Sequence, residues 1–527
     1  MISEDKYILA IDLGTSGPKV GLFTTRGETV DYEYEPTPIL LFPDGGAEQS
    51  PDGWWTAITT AAGRLLRKGK APADRIVAVS TTAQWSGTVA VDAQGRPLMN
   101  AIIWMDSRGA PHVKRMAGGA VSFEGYGIPK LMRWVRLTAG CPGNSGKDSI
   151  AHILWLKHEK PELYRQTYKF LEPKDYINLR LTGKFCASYD SITLHWVTDN
   201  RNLSKVTYDD RLLQISTLDR DKLPELKRAV DVLGNLCPQA AAELGLSQDV
   251  QVIMGTPDVQ SAAIGSGAVR DFDGHLYIGT SSWITCHVPY KKTDIFHNMA
   301  TLPSAIPERY FIGNEQETAG GCLNYLRDQI FFNKDALSGG EPPPDVFRSF
   351  DVMAARVPPG SDRLIFMPWL YGERTPIEDR YVRGGFFNQS LRTTREYMVR
   401  AVFEGVAYNA RWLLGGVEAF IKRPFAALNM IGGGAKSDVW CQIFADILGR
   451  PIRQVKDPIL SNARGAACLA SLGLGFMKVD DIPKHIQITK TYTPDPKNQR
   501  VYDALFQEFL GLYKRNRKAF ARLNRLE

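Results

Sequence analysis

The chain has 527 residues, 44% of them hydrophobic and 23% charged, with a formal net charge of +7. That length is too great for one hydrophobic core, so two domains are expected and three are admissible. The charge is modest and forms no long basic run, which suits an anionic ligand and argues against nucleic acid; no apolar stretch approaches the ~20 residues of a membrane helix. Seven cysteines, at 141, 186, 237, 286, 322, 441 and 468, make no Cys-x-x-Cys pair and no cluster with histidine, so reduced, buried thiols are expected. The chain runs from Met1 into a strand with no signal-peptide pattern, and a cytoplasmic enzyme is the expectation.

An apolar run over 6–11 leads into Asp12-Leu13-Gly14-Thr15-Ser16-Gly17 and a second run over 20–23, which reads as strand, glycine-hydroxyl turn, strand. A helix is expected over 54–66 and strands over 76–81 and 88–92, joined by the small-residue turn Ala83-Gln84-Trp85-Ser86-Gly87. The strand at 101–104 ends in Met105-Asp106-Ser107-Arg108, placing polar groups where open sheets bind ligands. Residues 149–235 read as mostly helical and irregular, with an amphipathic piece over 150–159. A strand at 251–254 runs into Gly255-Thr256-Pro257-Asp258 and a helix of small residues over 259–268. Past a boundary near 271–274, the opening pattern returns: strand 275–278, Gly279-Thr280-Ser281-Ser282, strand 283–288. A surface loop is expected at 338–344. A strand ending at Ile431 meets Gly432-Gly433-Gly434-Ala435-Lys436-Ser437, and the stripe Trp440, Ile443, Phe444, Ile447, Leu448 marks an amphipathic helix. A second small-residue helix follows over 463–472, and the basic stretch 514–525 reads as a solvated terminal helix.

A turn of glycines and hydroxyls presents backbone N–H groups and side-chain donors to one spot, which suits a phosphate. Two such turns, one in each half, suggest a duplicated fold closing on a polyphosphate from both sides. The two common nucleotide loops are absent. Gly146-Lys147-Asp148 has Asp where a P-loop needs Ser or Thr, with Cys141 in place of its first glycine, and the first glycine turn leads to a strand rather than a helix. Asp12 can hold magnesium through water while Thr15 and Ser16 face phosphates, or it can make an Asx-turn in an ordinary hairpin. Asp258 reads as a helix N-cap or as a general base that orients and deprotonates a phosphoryl acceptor, and the roles are compatible. The three glycines at 432–434 make a tight connection or admit a flat ligand. Asp106 and Arg108 form a surface ion pair of little worth, or join Gln84 and Trp104 in a polar and aromatic wall for a polyol. Trp85 either lines that pocket or packs beneath the sheet.

Taken in order, these motifs resemble the FGGY carbohydrate kinases of the actin-like ATPase superfamily. The matching segments are 11–16, 104–108, 255–258, 279–281, Tyr371-Gly372-Glu373-Arg374-Thr375-Pro376 with Arg383-Gly384, and 432–437. The resemblance implies an α/β protein of two ribonuclease-H-like domains about a cleft. Residues 1–270 would carry the sugar side and the base, residues 271–480 the ATP side, and residues 481–527 a helical tail on the second domain. It places Asp12 near magnesium, with Gly14, Thr15 and Ser16 at the phosphates and Thr15 beside the γ-phosphate. Gly279 and Thr280 would reach the phosphates from the other domain, and Gly433, Gly434 and Ser437 would border the adenosine. Asp258 would take the proton of the sugar hydroxyl, with Gln84, Trp85, Trp104, Asp106 and Arg108 around the sugar. The implied reaction moves the γ-phosphoryl group of ATP to a hydroxyl of a ketopentose, D-xylulose first. Ribulose, a hexulose, a tetritol and glycerol are the other substrates, and an actin-like switch or a sugar sensor is the alternative to a kinase. Beyond the sugar no partner is implied, and a homodimer is left open. Trp85 and Ser86 replace the Met and His of the xylulose kinases' Gly-Gln-Met-His-Gly turn, and the Arg-Glu pair of glycerol kinases is absent. Asn388-Gln389 stand where Gly-Leu is usual, and His152 where Lys is frequent.

Overall fold

A computed structural model describes residues 6–336 and 340–525. Ser338 and Gly339 of the expected surface loop, and the first five residues, lie outside the described residues.

The first sheet is built on β1 (Tyr7–Gly14) and β2 (Gly17–Thr24), an antiparallel hairpin, with β3 (Thr29–Tyr34) outside it. On the other side β1 runs parallel to β4 (Ile76–Ala83), which runs parallel to β6 (Gln251–Pro257); β5 (Val232–Asn235) closes the edge antiparallel to β6. The second sheet repeats the plan. The hairpin of β7 (Gly274–Ile278) and β8 (Ser282–Thr285) sits beside parallel β9 (Leu428–Ile431) and β10 (Ile452–Val455), and β11 (Ile488–Tyr492) closes the edge antiparallel. The run expected over 283–288 divides here. Ser282–Thr285 stays in this sheet, while His287–Val288 joins a separate four-stranded sheet.

Why β1 reads as a continuous apolar run is visible in its two faces, both of which are covered. Leu9, Ile11 and Leu13 pack with Trp54, Ile58 and Ala61 of α1 (Pro51–Arg67), while Ile8 and Ala10 pack with Ala463, Ala466 and Ala467 of α5 (Ser461–Gly473). The second domain therefore lays a helix on the first domain's sheet. In return, Ala262 and Ile264 of α2 (Asp258–Gly265) share an apolar cluster with Ile431 and Val455 of the second sheet. The small residues read along these two helices now have a reason. A Cβ on Gly265 would overlap the Ser461 carbonyl, and one on Gly465 would overlap the Ser261 carbonyl, so the helices cross backbone to backbone.

The second domain's own core is larger and is organised by α3 (Arg395–Ile421), α4 (Asp438–Leu448) and α6 (Pro496–Asn524), with Trp369, Phe403, Trp440 and Phe509 among its buried rings. The segment past residue 481 thus contributes β11 as well as a helix, and Tyr502, Leu505, Phe509 and Leu512 of that helix are buried in the core. In the first domain the helix at Ser149–Glu159 is not amphipathic as read. Its residues from Ser149 to Leu154 are buried without a break.

Candidate active site

Because β1 alternates faces, Asp12 shares its side of the strand with Ile8 and Ala10 and points into the cleft. It is 1% exposed, and its register partner across the hairpin is Lys19, whose Nζ lies 3.4 Å from Oδ2. Oδ1 is buried without a hydrogen-bond partner. The charge of Asp12 raises the pKa of Lys19 against the opposing effect of burial. At the tip of the turn, the Thr15 hydroxyl accepts from Trp104 Nε1 (2.9 Å) and donates to Gln84 Oε1 (3.2 Å). Gln84 Nε2 donates to Gln49 Oε1 (2.8 Å), whose own amide donates to the Thr15 carbonyl (2.8 Å). Ser16 is exposed, and its carbonyl accepts from the Tyr34 hydroxyl at 2.7 Å.

The base candidate is placed by a bulge. The parallel pairing of β6 with β4 is interrupted between Ile253 and Thr256, where Gly255 adopts φ +69 and leaves no room for a Cβ beneath the Thr81 carbonyl. The released Met254 carbonyl accepts from Lys174 Nζ (3.1 Å) and Asn178 Nδ2 (2.7 Å), while the Thr256 hydroxyl donates to Asp190. Lys174 is paired with Asp175, which accepts from the Ser191 hydroxyl at 2.7 Å. This buried polar cluster holds the strand end from which Asp258 projects. Asp258 itself is the first helical residue of α2 and Pro257 is the cap, so the N-cap reading moves by one position. Burial first, and then the charge of Asp12, push the Asp258 carboxyl up to about 8; Glu315 adds to this, while the Val259 amide and Lys19 oppose it.

Over residues 84–108, where a polar and aromatic wall is expected, the polar side chains of Gln84, Asp106 and Arg108 are bonded to protein partners. Asp106 is 1% exposed: Oδ2 accepts from the Ala47 amide (3.0 Å) and the Arg108 guanidinium (2.7 Å), and Oδ1 from the Arg108 amide (2.9 Å). Arg108 also pairs with Glu48 (2.7 Å) and stacks over Trp155 at 3.9 Å. Of the two readings of this pair, the surface ion pair gives way to a buried network. Trp85 is half-buried against the neighbouring apolar cluster, and its Nε1 donates to the Ser191 carbonyl at 2.9 Å, which ties this turn to the cluster under Asp258. Trp104 remains half-exposed, with the Lys147 ammonium 6.0 Å from its ring. The loop dismissed as a P-loop thus presents a lysine to the cleft. The Ser86 hydroxyl holds the Lys147 carbonyl (2.6 Å), and Asp148 ties the loop through the Gly143 amide and Trp196 Nε1, both at 2.7 Å. Across the cleft, Lys147 Nζ is 5.2 Å from the Tyr371 ring and 3.9 Å from Glu317.

On the second domain, Gly279 and Thr280 are wrapped by the segment 319–321. The amides of Ala319 and Gly320 donate to the Thr280 and Gly279 carbonyls, each at 2.7 Å. Arg374 of the second signature pairs with Glu315 and Glu317, each at 2.5 Å. In the glycine turn, Gly432 adopts φ +90 under the Ile278 carbonyl and Gly434 is packed on Ile278, whereas a Cβ on Gly433 would meet open space. Ser437 caps α4 through the Trp440 amide (3.0 Å) and donates to Asp351 (2.5 Å). Lys19, Lys147, Tyr277, Glu315 and the Lys174–Asp190 cluster were not singled out as site residues. Only Lys19 was within reach of sequence, because a two-residue turn between Gly14 and Gly17 fixes it opposite Asp12.

Two paired sheets, a hairpin turn from each facing one cleft, and a carboxylate with a raised pKa between them define a phosphotransferase of actin-like architecture. The family models agree. The N-terminal domain of the FGGY family of carbohydrate kinases matches residues 7–265 and its C-terminal domain residues 275–474. The chain belongs to that family and is an ATP-dependent sugar kinase. A xylulose kinase of Staphylococcus epidermidis is 28% identical over 537 residues, covering 99% of both chains, and a gluconokinase of Bacillus subtilis is 27% identical, covering 96% of this chain and 95% of its own. Among solved structures, a gluconate kinase and a ligand-bound xylulose kinase, both from Lactobacillus acidophilus, each match with a TM-score of 0.84 at 27% identity. They cover 99% and 98% of this chain and all of their own. No described helix is long and apolar enough to cross a membrane.

Proposed function

We propose that the enzyme phosphorylates a terminal hydroxyl of a ketopentose, D-xylulose first, with Asp258 as general base. The observation that carries this reading is the placement of Asp258 as the first residue of α2, at the end of β6 just past the Gly255 bulge, with burial and the nearby Asp12 charge raising its pKa. In its ionised form it accepts the hydroxyl proton as the sugar oxygen bonds to the γ-phosphorus. The bond from that phosphorus to the β,γ-bridging oxygen breaks, and ADP leaves. Gln84, Asp106 and Arg108 hold the wall in shape from behind, while Trp104 and Trp85 present their surfaces to the sugar. The phosphates would lie between the Gly14-Thr15-Ser16 and Gly279-Thr280 turns, near Lys19, with the adenosine over the open side of Gly433 and flanked by Gly434 and Ser437.

Magnesium fits the same arrangement. The unpartnered Oδ1 of Asp12 suits a water-mediated hold on the ion. No group of three or more His, Cys, Asp or Glu ligands exists among the described residues, so phosphate and water would complete its shell. When bound, the ion neutralises charge on the β- and γ-phosphates.

A sugar acid is the second reading, because the Lys147 ammonium stands beside Trp104 in a position to meet a substrate carboxylate. ADP release from ATP and magnesium over D-xylulose, D-ribulose, a hexulose, erythritol, glycerol and D-gluconate tests both. Turnover on the pentulose supports the first reading. Turnover on gluconate that Lys147→Met selectively removes replaces it with the second. ATP binding without turnover on any of them would overturn both.

A further inference from the structure

Asp12 has a counterpart in the second half that is not a carboxylate. Each Gly-Thr-Ser turn ends a strand, and two residues before its glycine, Gly14 or Gly279, stand Asp12 and Tyr277. Both occupy the strand position that faces the other domain. Leu276 and Ile278 enter the second domain's core, while Tyr277 packs on the opposite face with the cluster that includes Ala262 and Ile264 of α2. Across the first hairpin Asp12 opposes Lys19; across the second, Tyr277 opposes Trp283, and the rings stack at 3.9 Å and 7°.

The stack fixes the direction of the phenol. It runs along the strand to the turn, so that a Cβ built on Gly279 would collide with its hydroxyl. The residue is half-buried, and its hydroxyl makes no hydrogen bond among the described residues. Burial, and then the charges of Asp258, Asp12 and Glu315, keep its proton in place. A free neutral donor therefore stands at the Gly279 turn, beside Asp12, Asp258 and Glu315. Resting on the kinase reading above, we infer that Tyr277 is a catalytic residue whose hydroxyl donates a hydrogen bond to the γ-phosphoryl group of ATP. A second carboxylate at this position would repel the polyphosphate, whereas a phenol contributes a donor with no counter-charge to satisfy. The residue only donates a hydrogen bond; bond making and breaking remain as described for Asp258.

Tyr277→Phe keeps the ring and its stack and removes only the donor. Affinity for magnesium AMPPNP, measured by titration calorimetry, should weaken about 10-fold while that for ADP is unchanged, since a hydrogen bond to a charged group is lost. The turnover number kcat should fall about 100-fold at constant KM for the sugar, as for loss of one preorganised donor. Melting temperature and near-ultraviolet circular dichroism, unchanged from wild type, show that the fold is intact. Equal weakening of AMPPNP and ADP, or no change in either, overturns the inference. If the wild type phosphorylates no sugar, the substrate reading fails by itself, and the AMPPNP-to-ADP ratio still decides Tyr277.

Discussion

The two hairpins share strand order, a glycine-hydroxyl turn and a cleft-facing position two residues before the turn glycine, but they do different chemical work. The first is held by side chains: Lys19 on Asp12, and Trp104 and Gln84 on the Thr15 hydroxyl. The second is held by backbone, with the amides of 319–321 clasping the carbonyls of Gly279 and Thr280, and its cross-strand pair is a stacked Tyr277–Trp283 instead of an ion pair. The difference teaches that one scaffold accepts two kinds of cross-strand pair beside its turn, an ion pair at Asp12 and a neutral stack at Tyr277. Asp258 and Asp12 lie in the first half, and Glu315 of the second half adds to the raised pKa of Asp258. At its turn the second half offers backbone contacts and neutral rings, while Glu315 and Glu317 are held by Arg374.

The sharpest break in that contrast is Asp258→Asn, which should lower kcat about 1,000-fold, within the range for a lost general base, with ATP affinity unchanged in calorimetry. The same variant has a stability signature. The folded protein keeps a proton on Asp258 between the ordinary value of 3.8 and about 8 that the unfolded chain releases, so wild-type stability falls as pH rises through this window. The variant should lose that slope in melting curves. Arg108→Met leaves Asp106 and Glu48 buried without their cation and should destabilise the first domain by about 3 kcal/mol, read as an earlier urea transition. Asp12→Asn removes the like charge that raises Asp258. In magnesium-free protein the upper end of the wild-type stability slope, near pH 8, should move to lower pH in the variant's melting curves. An unmoved end would separate Asp12 from the base. The smallest effect tests the second half: Gly433→Ala meets no protein atom, so the melting temperature should hold while ATP affinity drops about threefold from crowding of the cradle.

Much of this division was legible from the residues. Strand–turn–strand patterns at 12–17 and 279–282, the strand into Gly255-Thr256-Pro257-Asp258 and the two small-residue helices are local signals, written in contiguous residues. What stayed hidden depends on contacts between distant segments. Whether Asp106–Arg108 is a surface pair or a buried one is not legible locally, because Glu48 and Trp155, which bury it, lie far away in sequence. Lys147 failed a motif test for one kind of loop and so gave no sign of its place beside Trp104. The cluster from Lys174 to Asp190 that holds the Met254 carbonyl and Thr256 carries no periodic or compositional mark. Tyr277 looked like an ordinary strand residue until the parity of its strand was known.

The crossing of α2 and α5 bears on how this chain can be divided. Each helix covers a sheet it does not belong to, so residues 7–265 alone would bare Ile8, Ala10, Ala78 and Ile253 to water, and the other half would bare Ile431 and Val455. The family boundaries near residue 270 are thus sequence boundaries without being lines of independent solubility. Halves made as separate polypeptides are expected to be sticky and to recover only when mixed, while a chain nicked in that linker should stay assembled.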